Sequence, residues 1–221
     1  MACPLRSMAT GDLMPRATRY SPPNSVHHVI NRGNDRRRLF ETASDFSEFL
    51  ALMGWAKERC PVRLVAYCLM PNHWHMILWP EESESIAKFM HRLCTSHAIR
   101  RRKATGTIGQ GHVYQHRYHA FVIETEPYYF RAVKYVEANP LRAGLVTSAA
   151  NWPWSSLAER LGADRGILNP GPLTLPGNWQ AQVDAAMPQA EMDDIHNKLR
   201  RHSPVAPRRP RQIAETAMKS T

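Results

Sequence analysis

What the chain has little of narrows it first. Cysteine is scarce, four in 221 residues, at Cys3, Cys60, Cys68 and Cys94. None forms a CxxC pair, so a zinc knuckle is excluded. The last three lie in apolar-patterned segments, and buried free thiols in a reducing cytosol are expected. No apolar run is long enough to span a bilayer. Residues 1–11 carry no apolar core of a signal peptide, so a cytoplasmic protein with no membrane partner is expected. There is no GxGxxG, no P-loop and no internal repeat, which removes dinucleotide folds, phosphate-cradling NTPases and solenoids. Acidic residues are in deficit: 19 Asp plus Glu face 29 Lys plus Arg, a formal net charge of +10. That balance favours a polyanion partner, nucleic acid first, although charge that only solubilises is the plain alternative.

What is present reads as one globular domain with appendages, or two small ones, with 43% hydrophobic and 22% charged residues. Residues 25–31 alternate as a first strand. A helix follows from Ser44, with Ser44 as its cap and Phe46, Phe49, Leu50, Met53 and Ala56 as its apolar stripe. Residues 62–70 and 73–79 read as two strands joined by the Pro71-Asn72 turn. Ser83 would cap a helix over 84–103. A strand over 118–124 and a helix over 128–138, with Pro127 in its first turn, complete the pattern. The order β-α-β-β-α-β predicts an α+β, ferredoxin-like split β-α-β antiparallel sheet with helices on one face. A C-terminal helical extension follows, including a helix over 191–201. Residues 203–221 carry Pro204, Pro207 and Pro210 with Arg208, Arg209 and Arg211 and are expected to be a disordered basic tail that adds nonspecific DNA affinity.

The chemistry centres on His73-Trp74-His75. On a strand, the two imidazoles share one face and the indole takes the other. That spacing suits one metal ion, though ordinary packing explains many such pairs. On the later helix Tyr135 and Asn139 lie one turn apart. Tyr135 is a candidate nucleophile with Lys134 and Arg131 close in sequence, and Asn139 could offer a carbonyl oxygen to the metal. Tyr128 and Tyr129 compete for the same role, and core packing competes for all three. Two ligands, a third oxygen donor and a phenol, converging on an open basic sheet surface, would form a site for cutting phosphodiesters. The loop 111–118 mixes basic and aromatic residues as single-strand binders do. Trp152 and Trp154 could stack on bases or pack the extension onto the core.

Several stretches together resemble the single-tyrosine HUH transposases, in their REP-associated tyrosine transposase branch. They are Met70-Pro71-Asn72-His73-Trp74-His75, Gly111-His112 to Arg117-Tyr118, Tyr135 with Asn139-Pro140-Leu141-Arg142, and Asn151-Trp152-Pro153-Trp154-Ser155-Ser156. His28-Val29 with Asn31-Arg32-Gly33-Asn34 resembles the family's opening strand. The resemblance implies a catalytic domain acting on single-stranded or hairpin DNA. It places the metal, Mg²⁺ or Mn²⁺, on His73 and His75, with Tyr135 as nucleophile. The third ligand would be Asn139, where many insertion-sequence relatives place a glutamine. The boundaries that follow are 1–19 for a flexible arm, 20–150 for the catalytic domain, 151–202 for the helical extension and 203–221 for a basic Pro-rich tail. Arg100, Arg101, Arg102, Lys103, Gln115 and Arg117 are the expected DNA contacts. A monomer is favoured over a homodimer. The rival reading is an inactive module that binds structured DNA or RNA.

Overall fold

A computed structural model describes residues 24–163 and 165–201, so the expected arm over 1–19 and the tail over 203–221 lie outside the described residues. The alternating segments form β1 (Val26–Arg32), β2 (Val62–Met70), β3 (His73–Pro80) and β4 (His119–Ile123). They make one antiparallel sheet in the order β2-β3-β1-β4. The crossovers are α1 (Ala43–Lys57), between β1 and β2, and α2 (Ser85–Thr105), between β3 and β4. This is the expected ferredoxin-like α+β fold.

Both crossover helices cover one face. Phe49 and Met53 of α1 and Phe89 and Leu93 of α2 pack on Val29, Leu69, Trp74 and Met76 of the sheet. Trp74 is fully buried there, its ring 6.2 Å from that of Phe49.

The expected caps differ in position. Thr42, not Ser44, caps α1: its side chain accepts from the Asp45 N–H, and the Asp45 carboxylate accepts from the Thr42 N–H. Only Thr42 has the extended backbone a cap needs, while Ser44 is already inside the helix. Ser83 does not cap α2. Glu84 takes that position without a side-chain bond, and the Ser85 hydroxyl accepts from the Glu82 N–H.

The opposite face is covered as well. It carries α3 (Glu126–Glu137), the single turn α4 (Asn139–Arg142), α5 (Ser156–Arg160), α6 (Trp179–Asp184) and α7 (Gln189–Arg201). Tyr129, Val133 and Val136 of α3 share a second core with Cys68 and Ile77 of the sheet and with Trp179 and Ile195 of the extension.

The extension also closes the β2 edge, which would otherwise present unpaired backbone groups. Leu69 N–H donates to Trp154 O at 2.9 Å and Asn169 N–H to Leu64 O at 2.8 Å. The Trp152 indole donates to Leu69 O at 2.9 Å, and Trp154 stacks on Phe46 at 5.0 Å. Both tryptophans therefore serve packing. Cys60 and Cys68 are buried free thiols and Cys94 is half-buried. Among the described residues no helix is long and apolar enough to cross a membrane.

The loop after β1 needs Gly33. A β-carbon there would lie 2.2 Å from Arg37 O. The tight turn brings Gly33 N–H onto Asn72 O at 2.8 Å and so sets the β1–β3 end that carries His73.

Candidate active site

The pairing of β1 with β3 builds the site. Arg32 lies opposite His73 and Ile30 opposite His75. Alternation sends Trp74 into the α1/α2 core and both histidines to the α3 face. His28, two residues before Ile30, shares that face, and its Nε2 lies 2.9 Å from His75 Nδ1. The His73 and His75 rings are 5.1 Å apart.

Helix α3 lays Tyr135 across these rings. Its ring centroid is 5.6 Å from His75 and 6.0 Å from His28, both edge-on. The Arg142 guanidinium sits over the Tyr135 ring at 4.0 Å, and the His196 ring of α7 lies 5.8 Å from it, edge-on. The open surface expected from sequence is therefore a covered one: Tyr135 is 4% exposed and His75 2%. Two layers produce the cover, α3 on the sheet and α7 on α3, and neither could be read from strand alternation.

Asn139 follows one turn after Tyr135. Pro140 does not stop the chain but starts α4, which keeps Asn139 buried beside the sheet. Its side chain acts on the titration of His73, and its Nδ2 has no partner among the described residues.

The imidazoles are held neutral. Burial pulls His28 down from its ordinary 6.5 to about 3. Burial first, then the positive charges of Arg32 and Arg142, lowers His73 from 6.5 to about 4, with Asn139 acting in the opposite direction. His75 lies well below the ordinary range through burial and then its neighbours His28 and His73. On the other side of the sheet, burial first and then Arg101 take His97 from 6.5 to about 4.

These shifts predict an acid-labile fold. The unfolded chain takes up protons as pH falls through 6.5, while the folded His28, His73 and His97 refuse them until about 3 to 4. Unfolding is thus favoured as pH drops. The loss is about 1.4 kcal/mol per pH unit for each such histidine. Denaturant midpoints measured from pH 7.5 to 4.5 should fall steadily; a flat profile would contradict the burial.

Neutral imidazoles are what a metal needs. Asn72 Oδ1 lies 2.7 Å from His73 Nδ1 and can only accept, so Nδ1 carries the hydrogen and Nε2 keeps its lone pair. The Asn72 amide orientation is fixed by Nδ2, which donates to Arg36 O at 3.3 Å. Among the described residues no three His, Cys, Asp or Glu side chains are grouped for a metal. The side chains that could hold a divalent cation here are His73, His75 and Asn139, two imidazole nitrogens and one carboxamide oxygen.

The other expected residues do not join this cluster. Arg100 pairs with Glu48 at 3.2 Å, and Arg101 pairs with Glu41 and Asp45. Arg102 donates to the carbonyls of Thr107, Gln110 and Gly111. All three sit on α2, across the sheet from the histidines, and Lys103 is exposed beside them. Gln115 and Arg117 line a cavity of about 610 Å³ between α2 and the loop before β4, together with Asn31, Cys94 and His112. Sequence reasoning missed His28, Asn72 and Arg142 as parts of the site. His28 had a usable signal: a polar residue on the same alternation as its apolar strand neighbours.

The site is thus a histidine pair on an antiparallel split β-α-β sheet beneath a helical tyrosine. The sequence matches the family described as "Transposase IS200 like" over residues 23–139, just over half of the chain. The chain belongs to that family and is a DNA transposase by class. A solved structure described as a REP-associated tyrosine transposase bound to a REP hairpin aligns with a TM-score of 0.56 and 19% identity. That alignment covers 80% of this chain and 93% of the other, and it shows a shared fold. A transposase-assigned crystal structure from Deinococcus radiodurans R1 aligns at 17% identity, over 54% of this chain and 89% of the other, with a TM-score of only 0.38. No curated protein matches the chain.

Proposed function

We propose that this transposase cuts and rejoins single-stranded DNA at a hairpin or repeat through a covalent tyrosine intermediate. The observation that carries the reading is the convergence of Tyr135, His73, His75 and Asn139 of one chain on one sheet face.

The Tyr135 oxygen attacks the scissile phosphorus. The P–O3′ bond breaks, one strand leaves as a 3′-OH, and the other stays as a 5′-phosphotyrosine. Attack by an incoming 3′-OH reverses the step and rejoins the strands. A divalent cation, Mg²⁺ or Mn²⁺, held by His73, His75 and Asn139 would supply Lewis-acid polarisation of a phosphoryl oxygen. Arg142, over the Tyr135 ring, and Arg32, opposite His73, place positive charge where negative charge builds during the transfer. At 4% exposure Tyr135 meets a phosphate only after Arg142 or α7 gives way.

Arg117 and Gln115 bind backbone along the cavity rim, and Lys103 extends that basic track. Arg100, Arg101 and Arg102 add field rather than free donors, because their own side chains are engaged. The relative's hairpin complex supports a hairpin as the partner. Tyr135 meets the histidines of its own chain, which supports a monomer acting in cis.

The test is a labelled hairpin oligonucleotide incubated with the full chain and Mn²⁺, followed by denaturing electrophoresis and peptide mapping of any adduct. A covalent adduct on Tyr135 is expected. No adduct with any hairpin of the genome's repeats, or one mapping to Tyr128 or Tyr129, would overturn the reading.

A further inference from the structure

We propose that His28 is a positioning residue for the metal site: its Nε2 accepts the Nδ1–H of His75 and leaves the His75 Nε2 lone pair free for a divalent cation. The inference rests on the reading of His73 and His75 as ligands.

The argument is one of hydrogen accounting. The two nitrogens are 2.9 Å apart and the rings 5.1 Å, so one donates and the other accepts. If His28 donated, His75 would accept at Nδ1 and carry its hydrogen on Nε2, with no lone pair to offer there. Cation binding through Nε2 therefore selects the pair in which His75 donates. His28 then carries its own hydrogen on Nδ1, an atom that is enclosed and has no partner among the described residues. That unpaired N–H is a cost which the bond to His75 must offset.

The same logic operates at His73, where the acceptor is the Asn72 carbonyl oxygen. The two ligands differ in surroundings, and that explains the two kinds of acceptor. Asn72 lies at the half-buried turn. His28 is fully buried, with its ring 5.9 Å from Phe121 and 6.0 Å from Tyr135. A carboxylate, the commoner partner for a ligand histidine, would be an unpaired charge there, whereas a neutral imidazole accepts without one.

The experiment measures Mn²⁺ affinity of the full chain without DNA, by electron paramagnetic resonance of the free ion. The variants are His28→Leu, which keeps bulk but has no acceptor, and His28→Gln, whose carboxamide oxygen can accept. Removal of such an outer partner should weaken Mn²⁺ binding about 10- to 100-fold in the leucine variant, and glutamine should restore most of it. Wild-type affinity in a folded His28→Leu protein would overturn the inference while leaving the ligand pair intact. Undiminished Mn²⁺ binding in His73→Ala would instead sink the ligand pair, and this inference with it. Should His28→Leu fail to fold, ¹⁵N-edited imidazole spectra of the Mg²⁺-loaded wild type decide. His75 protonated on Nδ1 supports the assignment, and His75 protonated on Nε2 overturns it.

Discussion

Tyr135→Phe is expected to abolish covalent capture of DNA and to lower strand cleavage by at least about a thousandfold, while leaving the fold intact. A phenyl ring keeps the edge contacts to His28 and His75 and the stacking under Arg142. Only the proposed attacking oxygen is lost. Removal of a nucleophile costs orders of magnitude in turnover, with residual rate left to water activated in the same site. The thermal midpoint should move by a few degrees at most. Rate loss with unchanged Mn²⁺ binding would place Tyr135 in the chemistry. Retained adduct would remove it, and Tyr128, packed under Lys198 on the same helix, would be the next residue to replace.

Much of this site was legible from alternation and spacing. His73 and His75 had to share a face because strand side chains alternate, and Trp74 had to be buried behind them. The strands, and the Phe46–Ala56 stripe of α1, followed from periods of two and of 3.6 residues. What alternation could not supply was set by residues distant in sequence. A basic run such as Arg100–Lys103 looks free for DNA until Glu41, Asp45 and Glu48 of α1 are folded against it. The cover over Tyr135 depends on α7, sixty residues downstream by register of contact rather than by pattern, so an amphipathic helix over 191–201 gave no hint of which face it would close. Thr42 and Ser44 both carry a hydroxyl that could cap α1. Only the backbone angle, extended at Thr42, separates the two.

The largest stability effect is expected at Glu137, which ties the helix of Tyr135 to the extension. Its carboxylate is fully enclosed and accepts from Arg160 Nε at 3.0 Å, from the Trp179 indole at 2.6 Å and from the Ser156 hydroxyl. Glu137→Ala leaves Arg160 without its counter-ion and two further donors without an acceptor. Breaking a buried pair from one side costs about 3–5 kcal/mol, which a denaturant midpoint would register directly. Glu137→Gln keeps the shape and one acceptor, and should cost less. Replacing both Glu137 and Arg160 by apolar residues should recover part of the loss, because no charge is then stranded. Equal loss in the single and double variants would mean that packing, not the ion pair, holds the segment. The link to function is positional. Glu137 stands between Tyr135 and Asn139 on one continuous turn of chain, so a loosened anchor should slow adduct formation in Glu137→Gln at temperatures where the protein is still folded. Hairpin binding through the proposed basic rim should stay unchanged.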